Sequence, residues 1–148
     1  MARETLLARI PVPEGNVHPW RTECPPGEAA TAYEEELESV AGSPPVLDLV
    51  FLGVGADGHT ASLFPGSAAL EIRDRYAVAN FVPSLGQWRL TLTYPALNAA
   101  REVLFLVEGS GKQEIVGKIE RGGDFPASRV HPEKTLWFLD RGAIVSGP

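Results

Sequence analysis

Cysteine occurs once, at Cys24, so the chain contains no internal disulfide and no cysteine-built zinc site. Long apolar runs are also missing: no stretch approaches the roughly 20 residues that cross a bilayer as a helix. The opening stretch carries Arg3, Glu4 and Arg9 and has neither the apolar centre nor the small-residue cleavage site of an export signal. Positive charge is scarce, with 13 Lys and Arg against 19 Asp and Glu, a net charge of −6. The imbalance is uneven: residues 1–47 hold three arginines against eight glutamates, and residues 48–148 are close to neutral. A chain without a basic stripe is a poor partner for nucleic acid or an anionic membrane, and neither is expected. His18, His59 and His131 are not at metal-ligand spacing and no H-E-x-x-H pattern is present, so no metal and no cofactor are expected. The absence of G-x-S-x-G disfavours a serine esterase. Repeats and low-complexity tracts are absent too.

What remains is ordinary globular composition: 148 residues, 44% apolar and 22% charged, enough for one core. Residues 1–9 read as a helix fragment, uncapped at its start and halted by Pro11 and Pro13. Residues 10–27 read as extended chain and turns. A second helix is expected over 26–40, with Pro26 in its first turn and Ala30, Tyr33, Leu37 and Val40 on one apolar face. Glu34, Glu35, Glu36 and Glu38 fall mainly on the other faces and read as a solvated surface.

After Gly42 and Pro44–Pro45, the run Val46 to Leu52 is almost continuously apolar, as in a strand buried on both faces of a parallel sheet. Further strands are expected at Tyr76–Val82, Trp88–Thr93, Glu102–Val107 and Thr135–Leu139, with helices at Pro95–Ala100 and Lys112–Arg121. This alternation predicts an α/β fold, Rossmann-like, with a mainly parallel sheet and flanking helices. Ligands of such sheets bind beyond the carboxyl ends of the strands, which here points to the turn after Leu52. Trp20, Trp88 and Trp137 lie in apolar contexts and read as core.

Residues 53–58, GVGADG, match G-x-G-x-x-G. A dinucleotide site also needs a long helix opening at the turn and an acidic residue about 20 positions on. Pro65 and Gly66 forbid that helix, so nicotinamide dinucleotide binding is disfavoured. The wider window Asp48 to Ser67, DLVFLGVGADGHTASLFPGS, resembles the signature of 6-phosphogluconolactonases, which share a sugar-phosphate superfamily with the glucosamine-6-phosphate isomerases. RLTLTYPALN from Arg89, VEGSGK ending at Lys112, PAS at Pro126–Ser128 and WFLD at Trp137–Asp140 resemble later elements of that family, in order.

The resemblance implies a metal-free hydrolysis of 6-phospho-D-glucono-1,5-lactone to 6-phosphogluconate in the oxidative pentose phosphate pathway, in the cytoplasm. It also implies that residues 1–148 form a single α/β domain that is the C-terminal portion of a longer lactonase domain. Family members carry an upstream glycine-rich phosphate loop and an Asp-Glu-Arg motif that do not occur here. The chain alone is therefore expected to be weakly active, and its sheet to expose an edge or an apolar face.

Lactone hydrolysis needs a positioned water, a proton acceptor, an oxyanion donor and a cationic phosphate clamp. His59 is the expected general base, since imidazole titrates near pH 6.5 when unperturbed. Asp57, two residues earlier, is placed to orient it. Gly53, Gly55 and Gly58 are expected to bring backbone N–H groups to the ligand. Arg89 and Lys112, matching family positions around the sugar phosphate, are the expected substrate cations, with Ser128 and Arg129 as weaker candidates. Thr60 and Ser62 offer hydroxyl contacts or a helix cap. The isomerases carry Asn-Glu-Pro where this chain has Leu63-Phe64-Pro65, and Phe64 cannot polarise a histidine as a glutamate does. Lactonase is therefore preferred to two alternatives, an isomerase/deaminase and a catalytically silent sugar-phosphate-binding chain.

Overall fold

The computed structural model describes residues 2–144. Its elements in chain order are α1 (Ala2–Thr5), α2 (Pro26–Ala41), β1 (Leu49–Leu52), β2 (Ala77–Val82), β3 (Gln87–Leu92), α3 (Tyr94–Asn98), β4 (Glu102–Val107), α4 (Gln113–Glu120) and β5 (Lys134–Leu139). Single 3-10 turns punctuate them at Leu7–Arg9, Glu14–Asn16, Ala68–Glu71, Ser110–Lys112 and Pro126–Arg129. The fold is mixed α/β with a parallel sheet and flanking helices.

β4 is the central strand of that sheet. It pairs in parallel with β1 from Leu49↔Glu102 to Leu52↔Phe105, and with β5 from Glu102↔Lys134 to Val107↔Leu139. One face of the sheet carries Val50, Leu52, Val103, Phe105 and Val107, all buried. They pack with Leu97 of α3, Ile115 and Val116 of α4, and the turn residues Leu63, Leu70 and Ala127. Phe105, fully buried, stacks on Trp137 at 4.1 Å between ring centroids.

The opposite face departs from the expectation of burial on both sides. Phe51 is 62% exposed, Leu106 54% and Phe138 55%, and Leu49 is also exposed. Period-two alternation puts these apolar side chains together on one sheet face, which no element of the described residues covers.

β2 and β3 do not join this sheet. They form a separate antiparallel hairpin, registered from Ala77↔Leu92 to Val82↔Gln87, which packs against α2. The connection between them, residues 83–86, is too short for a parallel crossover, which takes a dozen or more residues. Helix α2 starts at Pro26, whose missing N–H costs nothing there, and stops at Gly42 with φ +90°.

The glutamates of α2 are not simply solvated. The Glu34 carboxylate, nearly buried, accepts from Arg75 and from the backbone N–H of Tyr76, and so ties α2 to the start of β2. Glu36 lies 2.7 Å from His18 Nδ1, and Glu38 accepts from Ser43. Two apolar positions also differ from expectation. Val40 and Trp88 are exposed, Trp88 resting edge-on to Phe81, whereas Trp20 is half-buried and stacks on Tyr33.

Candidate active site

The turn at 53–59 follows β1 directly and closes on itself. Gly55 N–H donates to His59 O at 2.8 Å, and Gly58 N–H donates to Gly55 O at 2.9 Å. Both groups are thus consumed within the turn rather than presented to a ligand. Inside the loop, Asp57 Oδ1 accepts from His59 N–H at 3.1 Å and lies 2.6 Å from His59 Nδ1. A carboxylate only accepts, so Nδ1 carries the proton and Nε2 keeps the free lone pair.

Partial burial pushes the Asp57 carboxyl up. Hydrogen bonds from the backbone and ring of His59, with the imidazole's charge, outweigh that and hold it below the ordinary carboxylate range.

Gly55 is required by space. A Cβ there would overlap the His59 ring and sit 2.6 Å from Asp57 Oδ1. Gly58 is required by conformation as well, with φ +81° and the Phe125 ring 2.6 Å from where its Cβ would be. Gly53 meets neither condition, and its oxygen instead accepts from the Thr60 hydroxyl at 2.8 Å. Thr60 is fully buried, so its hydroxyl braces the turn against the end of β1.

No helix follows the turn. Residues 60–63 fold back in a tight bridge between Thr60 and Leu63, with Ala61 at φ +48°. The hairpin grips this bridge: Ser62 N–H donates to Thr91 Oγ1, and Asn80 Nδ2 donates to Ser62 O at 2.8 Å and Ser67 Oγ at 3.0 Å. Ser62 therefore caps no helix. The reversal lays the Phe64 ring on the His59 imidazole at 4.1 Å between centroids and 21° between planes.

His59 opens on a cleft of about 350 Å³ at the carboxyl end of β1, lined also by Leu52, Gly53, Gly55, Ala61 and Lys112. Lys112 reaches it from the turn after β4. Asp140, at the end of β5, holds that turn by accepting from Gly109 N–H at 3.0 Å and Ala143 N–H at 2.8 Å. His59, Asp57, Gly53, Gly55 and Lys112 are thereby brought together.

Arg89 is not in this cleft. It is exposed on β3 and lines the adjoining groove with Ser62, Trp20 and Trp88, so that Ala61 and Ser62 form the divide between the two. Ser128 and Arg129 lie elsewhere. Ser128 Oγ is bonded within its own turn, and Arg129 forms a two-pronged pair with Asp124 at 2.7 and 2.6 Å. Asn80 and Phe125 are the site residues that the sequence did not mark; Phe64 stood out only as the residue in place of the isomerases' glutamate, and Asp140 only as the end of the WFLD motif. The helix-blocking Pro65 was the one visible sign that Phe64 would turn back.

Among the described residues, no three His, Cys, Asp or Glu side chains assemble as a metal-ligand set, and no helix is long and apolar enough to cross a membrane.

A family described as glucosamine-6-phosphate isomerases/6-phosphogluconolactonase matches residues 1–137. The chain is 41% identical to a 6-phosphogluconolactonase of Synechocystis over 97% of its own length and 63% of the relative's. It is 42% identical to the human 6-phosphogluconolactonase over 95% and 58%. The crystal structure of 6-phosphogluconolactonase from Thermotoga maritima superposes with a TM-score of 0.81 at 35% identity, covering 93% of this chain and 62% of that one. The chain thus spans about three fifths of the length of the relatives it matches, and it belongs to the glucosamine-6-phosphate isomerase/6-phosphogluconolactonase family.

Proposed function

We propose that the chain carries the general base of a 6-phosphogluconolactonase, which hydrolyses 6-phospho-D-glucono-1,5-lactone to 6-phosphogluconate. The observation that carries this reading is the His59–Asp57 pair at 2.6 Å, opening on a cleft that also holds Lys112.

In this mechanism Asp57 keeps the proton on Nδ1. Nε2 takes a proton from a water as its oxygen bonds to C1 of the lactone. The tetrahedral oxyanion then collapses and the bond from C1 to the ring oxygen breaks. The ring oxygen leaves with the proton returned by Nε2, and the new acid ionises. Lys112 supplies a point charge to the phosphate, and Arg89 supplies a second cation from the groove beyond Ser62. Gly55 and Gly58 serve by shape, since their N–H groups are bonded inside the turn. The same reading carries a cytoplasmic enzyme of the oxidative pentose phosphate pathway, acting on a small phosphorylated lactone without a cofactor.

Three features favour lactone hydrolysis over isomerisation or deamination: Phe64 stacked on the histidine, the names of the relatives, and the absence of a second carboxylate on His59 among the described residues. The test is to generate 6-phosphogluconolactone in situ and to follow acid release by the protein carrying this chain. Release above the spontaneous rate, with no ammonia from glucosamine 6-phosphate, is expected. Bound 6-phosphogluconate without accelerated release would contradict the catalytic reading and leave a binding protein.

A further inference from the structure

We propose that Phe64 is a positioning residue for His59, holding the imidazole in the single orientation that aims Nε2 into the cleft. This inference rests on the lactonase reading for its catalytic consequence, but its structural content stands apart from it.

Three contacts constrain the ring. Asp57 Oδ1 fixes one edge at Nδ1. The bare α-carbon of Gly55 lies against Nδ1 and Cε1, where any Cβ would overlap them. Phe64 covers a face of the ring at 4.1 Å, nearly parallel. The hydrogen bond and the glycine alone leave that face open, and rotation about χ2 would then trade Nδ1 for Cδ2 at the carboxylate. Such a swap would turn the unprotonated nitrogen out of the cleft. The stacked ring blocks it sterically.

Phe64 is itself held on both sides. Leu63, fully buried, donates its N–H to Thr60 O at 2.8 Å, and Ser67 N–H donates to Phe64 O at 3.0 Å. Pro65 restricts the backbone between them. The short reversal at 60–67 therefore delivers a rigid aromatic wall to the imidazole, anchored through Asn80 to the hairpin.

The experiment compares Phe64→Leu, Phe64→Tyr and His59→Ala in the protein carrying this chain. Phe64→Leu keeps apolar bulk but loses the flat face. It is expected to lower kcat about 10- to 100-fold, the cost of a misplaced reacting group, with KM changed less than about twofold. Phe64→Tyr, which restores the face, is expected to recover most of the rate. In parallel, 15N spectra of the His59 ring should show one Nδ1–H tautomer in the parent and in Phe64→Tyr, and mixed or averaged signals in Phe64→Leu. Unchanged ring signals and unchanged kcat in Phe64→Leu would overturn the proposal while leaving the lactonase reading intact. If His59→Ala keeps the parental rate, the lactonase mechanism fails instead, and the ring spectra still decide the role of Phe64.

Discussion

At the residue scale, the site depends on how one carboxylate and one imidazole are seated. Replacing Asp57 by Asn puts an amide against Nδ1. Its oxygen still accepts from His59 N–H and from Nδ1–H, but the negative charge that stabilises the imidazolium as Nε2 takes the water proton is lost. We expect kcat to fall about 10²- to 10⁴-fold with the fold intact, measured by acid release and circular dichroism. The pH dependence of stability has a defined sign. Asp57 has a lowered pKa in the folded chain, so its contribution is complete above the ordinary carboxylate value, near pH 4, and is lost as pH falls through the lowered one. The Tm difference between parent and Asp57→Asn should therefore be constant near neutrality and close below about pH 4. Lys112→Ala should raise KM about 10- to 100-fold, the worth of one charged hydrogen bond, with kcat little changed. Arg89→Ala, altered in the adjoining groove, should raise KM less. Steady-state kinetics checks both, and an unchanged KM in Lys112→Ala would remove the phosphate role. With only Gly58 between them, Asp57 and His59 could be expected to be neighbours, but the contact itself depends on how the turn closes, which the spacing does not determine. The Phe64 stack was not legible, because it depends on a chain reversal made by Thr60, Ala61 and Leu63 together.

At the element scale, the hairpin is what holds the site loop. Asn80, 2% exposed, gives both of its Nδ2 hydrogens to that loop, at Ser62 O and Ser67 Oγ. Asn80→Ala leaves those acceptors without a donor and should cost about 1–3 kcal/mol, read from the urea midpoint at unchanged m-value. A stability equal to the parent's would mean that the loop holds itself. The positions of the strands were readable from apolar runs bounded by Gly and Pro, and α2 begins where expected. The hairpin was equally open to reading, since four residues between β2 and β3 permit only antiparallel pairing. What could not be read was the fate of the α2 glutamates. Helical periodicity places Glu34 off the apolar face, but nothing local says that Arg75 and Tyr76 will meet it there.

At the scale of the whole molecule, the described residues cover the sheet on one side only. The core lies between β1, β4 and β5 and the helices α3 and α4, while Phe51, Leu106 and Phe138 face outward. An apolar patch of this kind favours association. Residues 1–148 should therefore self-associate with rising concentration in light scattering. Phe51→Ser with Phe138→Ser should reduce that association while shifting the urea midpoint little, because both side chains are already exposed. The continuous apolar run through β1 signalled burial on both faces. It could not say whether the second face is covered within these residues, since that depends on chain packing rather than on the strand itself. The parallel strands and the turn beyond β1 place His59 at the carboxyl end of the sheet, where α/β folds bind ligands. The most direct test of His59 as general base is the kcat of His59→Ala for 6-phosphogluconolactone hydrolysis, in the protein carrying this chain. A fall of about 10²- to 10⁴-fold with the fold preserved is expected, and a folded variant that keeps the parental kcat would contradict the role of His59 as general base.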